Sequence, residues 1–512
     1  NGFEKPQAEL PEGERVKVIL FNPHHMPLEN ETIAETIHFK NPGGEEEEYH
    51  PPLKHLRAFD SSGRELPLTV ESSRAPVMRA GYISHQWGRE YAIRLEANLP
   101  AVGYEMITIV AVEKSSEAPQ SKSPTHFIEN ESAKLTFENG NIRWESKDGS
   151  IAAENLIQFE YMGDAGDTYT FSPVEGSRQL VRDATLDSNK SSHHELVLTF
   201  RMDVPKGLDD SETKTLRINV TASLRHDGSV ALTTDYLNSA ENGRLRILLP
   251  TLCGSMDSYS DGHFTINHHQ RQERLDPNDY PDRYKAYPGE LQYPTNFQGD
   301  FSFVSDGDRK TWVANKGLHE YEMIRDEDDD KHSRFAVTLH RAVGYLSVSN
   351  GEIRRPQAGP SIPTPGAQCK RDLSAELCWG TTSGNVTEVM RSARLFAHPI
   401  FVRQLPVIKN APSDGPIPGS RSLLTLGNPA VQLSSLHPAE RDGDVIVRLY
   451  NPTDEEQACS IDVGFPATKF CESSLKEEWR EDSKQMVDRG VAECVIKSNQ
   501  IKTFRFRNDE TV

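Results

Sequence analysis

Val16-Lys17-Val18-Ile19-Leu20-Phe21-Asn22-Pro23 is the stretch from which the fold can be read. Branched and aromatic residues favour a pleated, half-buried strand, and a proline cannot donate to a ladder, so the run reads as a strand ended at Asn22-Pro23. The same signature recurs outward from it, at Thr32 to Phe39, Tyr91 to Leu95 and Met106 to Val112. Asn41-Pro42-Gly43-Gly44 and Ser62-Gly63 supply turns between the runs. Short strands with turns about every 10 residues predict a β-sandwich over residues 1–115. The polar, proline-containing stretch Ser115 to Pro124 reads as a linker.

Beyond the linker the period of two continues. It runs through Lys134 to Glu138, Glu195 to Met202, Thr215 to Leu224, Val230 to Tyr236, Phe301 to Val304 and Phe335 to Leu339. So many strands between 116 and 405 predict large sheets packed face to face. Long loops interrupt them at Asp276 to Pro281 and Arg355 to Gly366, and loops of that length commonly carry function or contact another domain. A second linker, Asn410 to Gly419, precedes Asp444 to Tyr450, Ala458 to Val463 and Gln500 to Phe506, which predict a small all-β domain over 406–512. Asn451-Pro452 repeats the strand ending of Asn22-Pro23. No long apolar period of 3.6 residues is present, so little helix is expected, with Ser374 to Cys378 and Glu478 to Val487 as the short candidates.

The chain has 512 residues, enough for three or four domains at roughly 100–200 residues each. Fifty-seven Lys and Arg against 77 Asp and Glu give a net charge of −20, which repels phosphate backbones and anionic bilayers, so neither nucleic acid nor membrane is an expected partner. No apolar run reaches the roughly 20 residues of a membrane span. The first Met is Met26 and no leader pattern precedes it, which reads as a piece of a longer or processed chain. Six scattered cysteines without a CxxC pair suit reduced thiols and a cytoplasmic setting. Cys459, Cys471 and Cys494 lie close enough in sequence to leave a bridge open.

Phosphate-cradling glycine motifs, GxSxG and HExxH are absent. Adjacent side chains on a strand diverge, so His24-His25, His193-His194 and His268-His269 each offer one ligand to a side, and no metal site is expected. Asp326-Glu327-Asp328-Asp329-Asp330 lacks the glycine and distal Glu of a calcium loop and reads as a solvated hairpin tip. Asp164-Ala165-Gly166-Asp167-Thr168-Tyr169-Thr170-Phe171-Ser172-Pro173 is more informative. Read as the entry to an alternating strand, it puts Tyr169 and Phe171 on one face, and an aromatic ring beside carboxylates suits a sugar's CH face and hydroxyls. The alternative is that both rings are core. Tyr280, Tyr284, Tyr287 and Tyr293 could line a carbohydrate cleft, but a loop pinned down by its aromatics is the simpler reading.

Taken in order, several segments resemble glycoside hydrolase family 38, the α-mannosidases, and in style its bacterial members, including mannosylglycerate hydrolases. They are Val18 to Pro23, Asp164 to Pro173, Gly317 to Glu322, Thr338 to Ser347, Arg355 to Pro360, Thr364 to Cys369 and Val447 to Pro452. The resemblance covers nearly the whole chain and is to the C-terminal half of that family. It implies an all-β architecture: a small β-sandwich, a large mutarotase-like supersandwich and a small C-terminal β-sandwich. The zinc-binding and nucleophile motifs of the family's N-terminal barrel are not found here, so the resemblance implies that zinc and both catalytic carboxylates belong to a missing barrel segment. No catalytic residue or metal ligand is then expected in this chain, and the isolated chain is expected to be inactive.

Family chemistry is retaining hydrolysis of α-mannosides, with two carboxylates about 5 Å apart. By the resemblance, Tyr169 occupies the position where a tyrosine reaches substrate, with Asp167 beside it. Arg355 falls in a segment that closes onto the barrel and would brace the site. Arg341 and Glu320 are further candidates, or else a buried ion pair within the sheet. Expected partners are an α-mannoside or other carbohydrate and the barrel itself. Family members often form dimers, a state that no residue pattern here specifies. Two other functions stay open: a stand-alone carbohydrate-binding module, and a mutarotase-type enzyme, which needs a His acid and a Glu base facing one cleft. His319 and Glu320 are adjacent and would diverge on a strand.

Overall fold

A computed structural model of the chain describes residues 10–40, 53–80, 85–114, 125–208, 211–271, 293–349, 357–405, 417–440 and 442–508. Among the described residues the structure is nearly all β, and every strand pair is antiparallel. It divides into two compact units, residues 1–121 with 398–512, and residues 122–397.

In the first unit the strand Glu14–Asn22 lies between Phe401–Gln404 and Gly103–Lys114 in one sheet, and a three-stranded sheet is built from Leu28–Lys40, His85–Leu99 and Leu68–Ala80. The alternation read at Val16–Phe21 is real: Val18 and Leu20 are buried with Ile107 and Ile109. The C-terminal part has a five-stranded sheet and a three-stranded sheet, whose inner faces share a core of Leu424, Val447, Leu449, Ile461, Phe470 and Phe504. Asn22 and Asn451 end their strands in the same way. Each is fully buried, accepts the N–H two residues on through Oδ1, and donates from Nδ2 to the carbonyl four residues on.

The second unit holds a nine-stranded and a six-stranded sheet, with a four-stranded sheet beside them. Leu245, Ile247 and Phe159 of the six-stranded sheet meet Leu198, Phe200 and Leu232 of the nine-stranded one in a single apolar core. Phe159 and Phe200 pack edge to face at 4.9 Å. Trp379 is wholly buried and its indole N–H donates to the Pro250 carbonyl at 2.7 Å, which ties the two layers. The helix Val386–Ala397 covers the other side of the nine-stranded sheet, setting Val389, Met390, Ala393 and Phe396 on Phe301, Phe303 and Trp312.

Both helix candidates are corrected. Ser374 to Cys378 lies inside the strand Asp372–Thr382, paired on both sides by Val230–Leu237 and Arg309–Asn315. Its Ala, Glu and Leu favour a helix locally, but two ladders outweigh that preference. Glu478 to Val487 contains only a single 3₁₀ turn, Glu481–Ser483, followed by the short strand Lys484–Met486.

Candidate functional site

The strand Gly243–Pro250 is buried on both faces. Leu245, Ile247 and Leu249 point into the apolar core, so Arg244 and Arg246 point the other way. A buried guanidinium must be paired, and that second face carries a row of alternating charge. Arg178 donates to Glu160 at 2.6 Å, Glu160 accepts from Arg246 at 2.8 Å, and Arg246 also pairs with Glu322. Arg244 continues the row to Glu320 at 3.4 Å, and Glu320 accepts from Thr338 at 2.6 Å. Burial alone would raise the Glu160 carboxyl, but Arg246 and Arg178 outweigh it and hold it below its ordinary value. Burial pushes Arg244 downward, since its partners are more distant.

The loop 164–173 rests on this face. An isolated bridge between Asp164 and Pro173 closes it. Asp164 is 1 % exposed, and its Oδ1 accepts the N–H groups of Gly166 and Ser172 at 2.9 and 3.0 Å. Its Oδ2 takes both Nε and Nη2 of Arg341, at 2.9 and 2.7 Å. Asp167 is 0 % exposed. Its Oδ1 accepts from the Tyr169 and Thr170 N–H groups, and its Oδ2 accepts from the Val348 N–H at 2.8 Å. Arg341 donates once more, to the Asp167 carbonyl. Gly166 is required here, because a Cβ would sit 1.9 Å from the Thr170 carbonyl oxygen.

The result is a closed turn and not an alternating strand. Tyr169 and Phe171, read as sharing a face, go to opposite environments: Tyr169 is 55 % exposed and Phe171 is 5 % exposed. Phe171 is the loop's anchor. The Arg244 guanidinium lies 3.6 Å from its ring centroid, and Tyr293 meets it edge-on at 5.2 Å. Such a cation–π contact away from water is worth about 2 kcal/mol. A second loop borders the first. Thr168 donates through its N–H to the Tyr345 carbonyl and through Oγ1 to that of Leu346. Buried Ser347 accepts the N–H groups of Ala358 and Gly359. Tyr345 and Ile362, joined by the Tyr345–Pro363 bridge and the Leu346–Ile362 hydrogen bond, are exposed on this second loop.

Of the sequence candidates, the structure brings Tyr169, Asp167 and Arg341 together. Arg355 lies outside the described residues, as do Tyr280, Tyr284 and Tyr287. Arg341 and Glu320 do not pair with each other, because Arg341 holds Asp164 and Glu320 faces Arg244 and Thr338. His319 is exposed, hydrogen bonds the Gln298 carbonyl and stacks on Phe297, while Glu320 turns to the buried row. The acidic run is a hairpin connection held by arginines: Asp326 pairs with Arg334, Glu327 with Arg178 and Arg182, and Asp328 with Arg182. Among the described residues no group of three or more His, Cys, Asp or Glu is placed to hold a metal ion. Among the same residues no helix is long and apolar enough to cross a membrane. Sequence reading missed Arg244 and Phe171 as a pair. The signal was Gly243-Arg244-Leu245-Arg246-Ile247, arginines at every second place in an apolar strand.

Known proteins share this arrangement of sheets. Residues 430–504 match the glycosyl hydrolases family 38 C-terminal beta sandwich domain. The fold is similar to that of an alpha-mannosidase from Enterococcus faecalis V583, with a TM-score of 0.73 over 96 % of this chain and 56 % of that one, at 18 % identity. The chain resembles the C-terminal β half of family 38. A second E. faecalis structure, described as a protein in glycosyl hydrolase family 38, aligns with a TM-score of 0.73, 16 % identity, and 96 % of this chain against 58 % of that one. In sequence, a putative mannosylglycerate hydrolase from Halalkalibacterium halodurans is 23 % identical over 438 residues, 79 % of this chain and 44 % of that protein. The chain therefore spans about half the length of the family 38 relatives it matches.

Proposed function

We propose that this chain is the non-catalytic β portion of a retaining α-mannosidase-type glycoside hydrolase. Its 164–173 loop then completes a mannoside pocket whose nucleophile, acid/base and zinc ligands belong to a barrel segment outside these 512 residues. The observation that carries this reading is Tyr169, 55 % exposed at the tip of a loop whose backbone is clamped by two buried aspartates and one arginine. A phenol carried on a backbone held that firmly offers a ring for the sugar's CH face and a hydroxyl for its oxygens at a reduced entropic cost. In this reading Asp167 serves the sugar through the placement of Tyr169, since its own oxygens already accept three backbone N–H groups. Arg355 is proposed as a brace between loop and barrel. The doubled length of the relatives supports a barrel partner, and the printed names of those relatives support the substrate class.

Chemistry at the anomeric carbon would then fall to the two barrel carboxylates, about 5 Å apart. Zinc bound in the barrel would hold sugar hydroxyls, and the residues here would orient the ring and exclude water. The purified 512-residue chain, supplied with zinc, should not hydrolyse an aryl α-mannoside. Turnover by that pure chain would overturn the reading. In the complete source protein, Tyr169→Ala should cut kcat/KM at least tenfold, about 1.4 kcal/mol of transition-state binding, while the melting temperature stays put. An equal loss of folding stability would assign Tyr169 to packing instead.

A further inference from the structure

Cys459 and Cys494 face each other across two antiparallel strands, Gln457–Val463 and Val491–Ile496. Hydrogen bonding along the ladder fixes the kind of pair they form. Val463 donates its N–H to the Gly490 carbonyl at 2.9 Å, and hydrogen-bonded pairs recur every second residue. Four residues back, Cys459 and Cys494 form another hydrogen-bonded pair, for which Cα atoms lie about 5.5 Å apart. That spacing falls inside the roughly 4.4–6.8 Å range that a disulfide spans.

Both side chains point into the same apolar layer. Cys459 is 2 % exposed among Ile461, Val463 and Phe470, and Cys494 is half-buried against that core. The Cys494 thiol lies 3.4 Å from the Cys459 carbonyl oxygen. The other buried strand cysteines have no such mate: Cys378 faces Ala231 and Ala314, and Cys471 faces Lys484 and Arg505.

We propose that Cys459 and Cys494 are a modification site, forming a reversible cross-strand disulfide in the C-terminal β-sandwich when a small disulfide such as oxidised glutathione is present. The half-buried Cys494 meets the oxidant first. Its thiolate attacks one glutathione sulfur, forming a mixed disulfide and releasing one glutathione thiol. The Cys459 thiolate then attacks the Cys494 sulfur and expels the second glutathione thiol. The protein loses two protons and two electrons, and one glutathione disulfide becomes two thiols. The new bond closes the segment between residues 459 and 494 and limits the freedom of the unfolded chain, so the oxidised form melts higher.

The test uses the purified 512-residue chain, treated with oxidised glutathione, denatured and alkylated. Before alkylation the intact mass should be lower than that of the reduced form by about 2 Da, the two hydrogens lost in the exchange. Two of the six cysteines should resist alkylation, and a linked peptide should join Cys459 to Cys494. The melting midpoint should rise, and dithiothreitol should reverse it. Cys494→Ser, at the half-buried position, should abolish the shift. Six alkylated thiols after treatment, a lasting glutathione adduct on Cys494, or a bridge through Cys471 would each overturn the proposal. The wild-type peptide map decides the question even if a Cys459→Ser variant fails to fold.

Discussion

Two acidic loops of the 122–397 unit, 164–173 and 326–330, look alike in composition and differ in where their carboxylates point. In the first, Asp164 and Asp167 turn inward and accept backbone N–H groups of their own and the neighbouring loop. In the second, Asp326 and Asp329 also accept a backbone N–H each, but Asp326, Glu327 and Asp328 reach across to arginine side chains on other segments, and only Asp326 of these three is buried. An inward carboxylate shapes the backbone and frees the side chain between to be presented, here Tyr169. An outward carboxylate ties strands together and presents nothing. Acidic composition alone therefore does not tell which loop presents a side chain; the direction in which the acids point does.

The largest effect should come from breaking the inward arrangement. Asp164→Ala leaves two backbone N–H groups unmet and strands Arg341, whose side chain is only 18 % exposed. Removing one partner of such a buried pair costs about 3–5 kcal/mol. Urea denaturation of the variant should show that loss. A cost under about 1 kcal/mol, the range of an exposed pair, would mean that the loop does not depend on its aspartate and would erase the contrast.

Acid should probe the support of the inward loop next. His340 precedes Arg341 on the strand Ser333–Ala342 and points to the other side, where its Nδ1 is 2.9 Å from the Tyr236 hydroxyl. Burial pushes His340 down to about 4 from its ordinary value of 6.5, while its Nε2 has no hydrogen-bond partner. The unfolded chain takes up this proton near pH 6.5 and the folded chain does not until about pH 4. Stability from this group is therefore whole above pH 6.5 and drains away as pH falls to 4, by about 3 kcal/mol at most, at 1.36 kcal/mol per pKa unit. His340→Gln, which keeps a partner for Tyr236, should flatten that stretch of the stability curve. An unchanged acid limb would shift the sensitivity to the carboxylate network instead.

The contrast between the loops also shows what the sequence carried. Alternation was legible wherever one face of a strand is buried, as along Glu195–Pro205, where Leu196, Leu198, Phe200, Met202 and Val204 all go inward. The Asn-Pro strand endings at Asn22 and Asn451 were legible because their chemistry is local. The partition of Tyr169 from Phe171 was not legible, since a turn closed by Asp164 replaces the strand on which faces were counted. The error over Arg341 and Glu320 has another source. Pairing partners depend on register, which sets Arg341 opposite Arg244 and brings Asp164 to it from 177 residues away. The helix Val386–Ala397 was missed although Val389, Met390, Ala393 and Phe396 follow its period, because 12 residues give that pattern little length to declare itself.

The smallest effect should come from the outward loop, and it sharpens the comparison most. Glu327 pairs with Arg178 and Arg182, and all three side chains are about a third or more exposed. Each arginine also has a second acid: Arg178 keeps Glu160, and Arg182 keeps Asp328. Glu327→Gln thus removes one charge from a network in which neither cation is stranded. Exposed pairs contribute about 0–1 kcal/mol, and water screens these, so the variant should unfold within that range of the parent and the difference should shrink further in high salt. A loss above about 2 kcal/mol would show that the fold depends on the hairpin acids as heavily as on Asp164, and that burial direction does not separate the two loops.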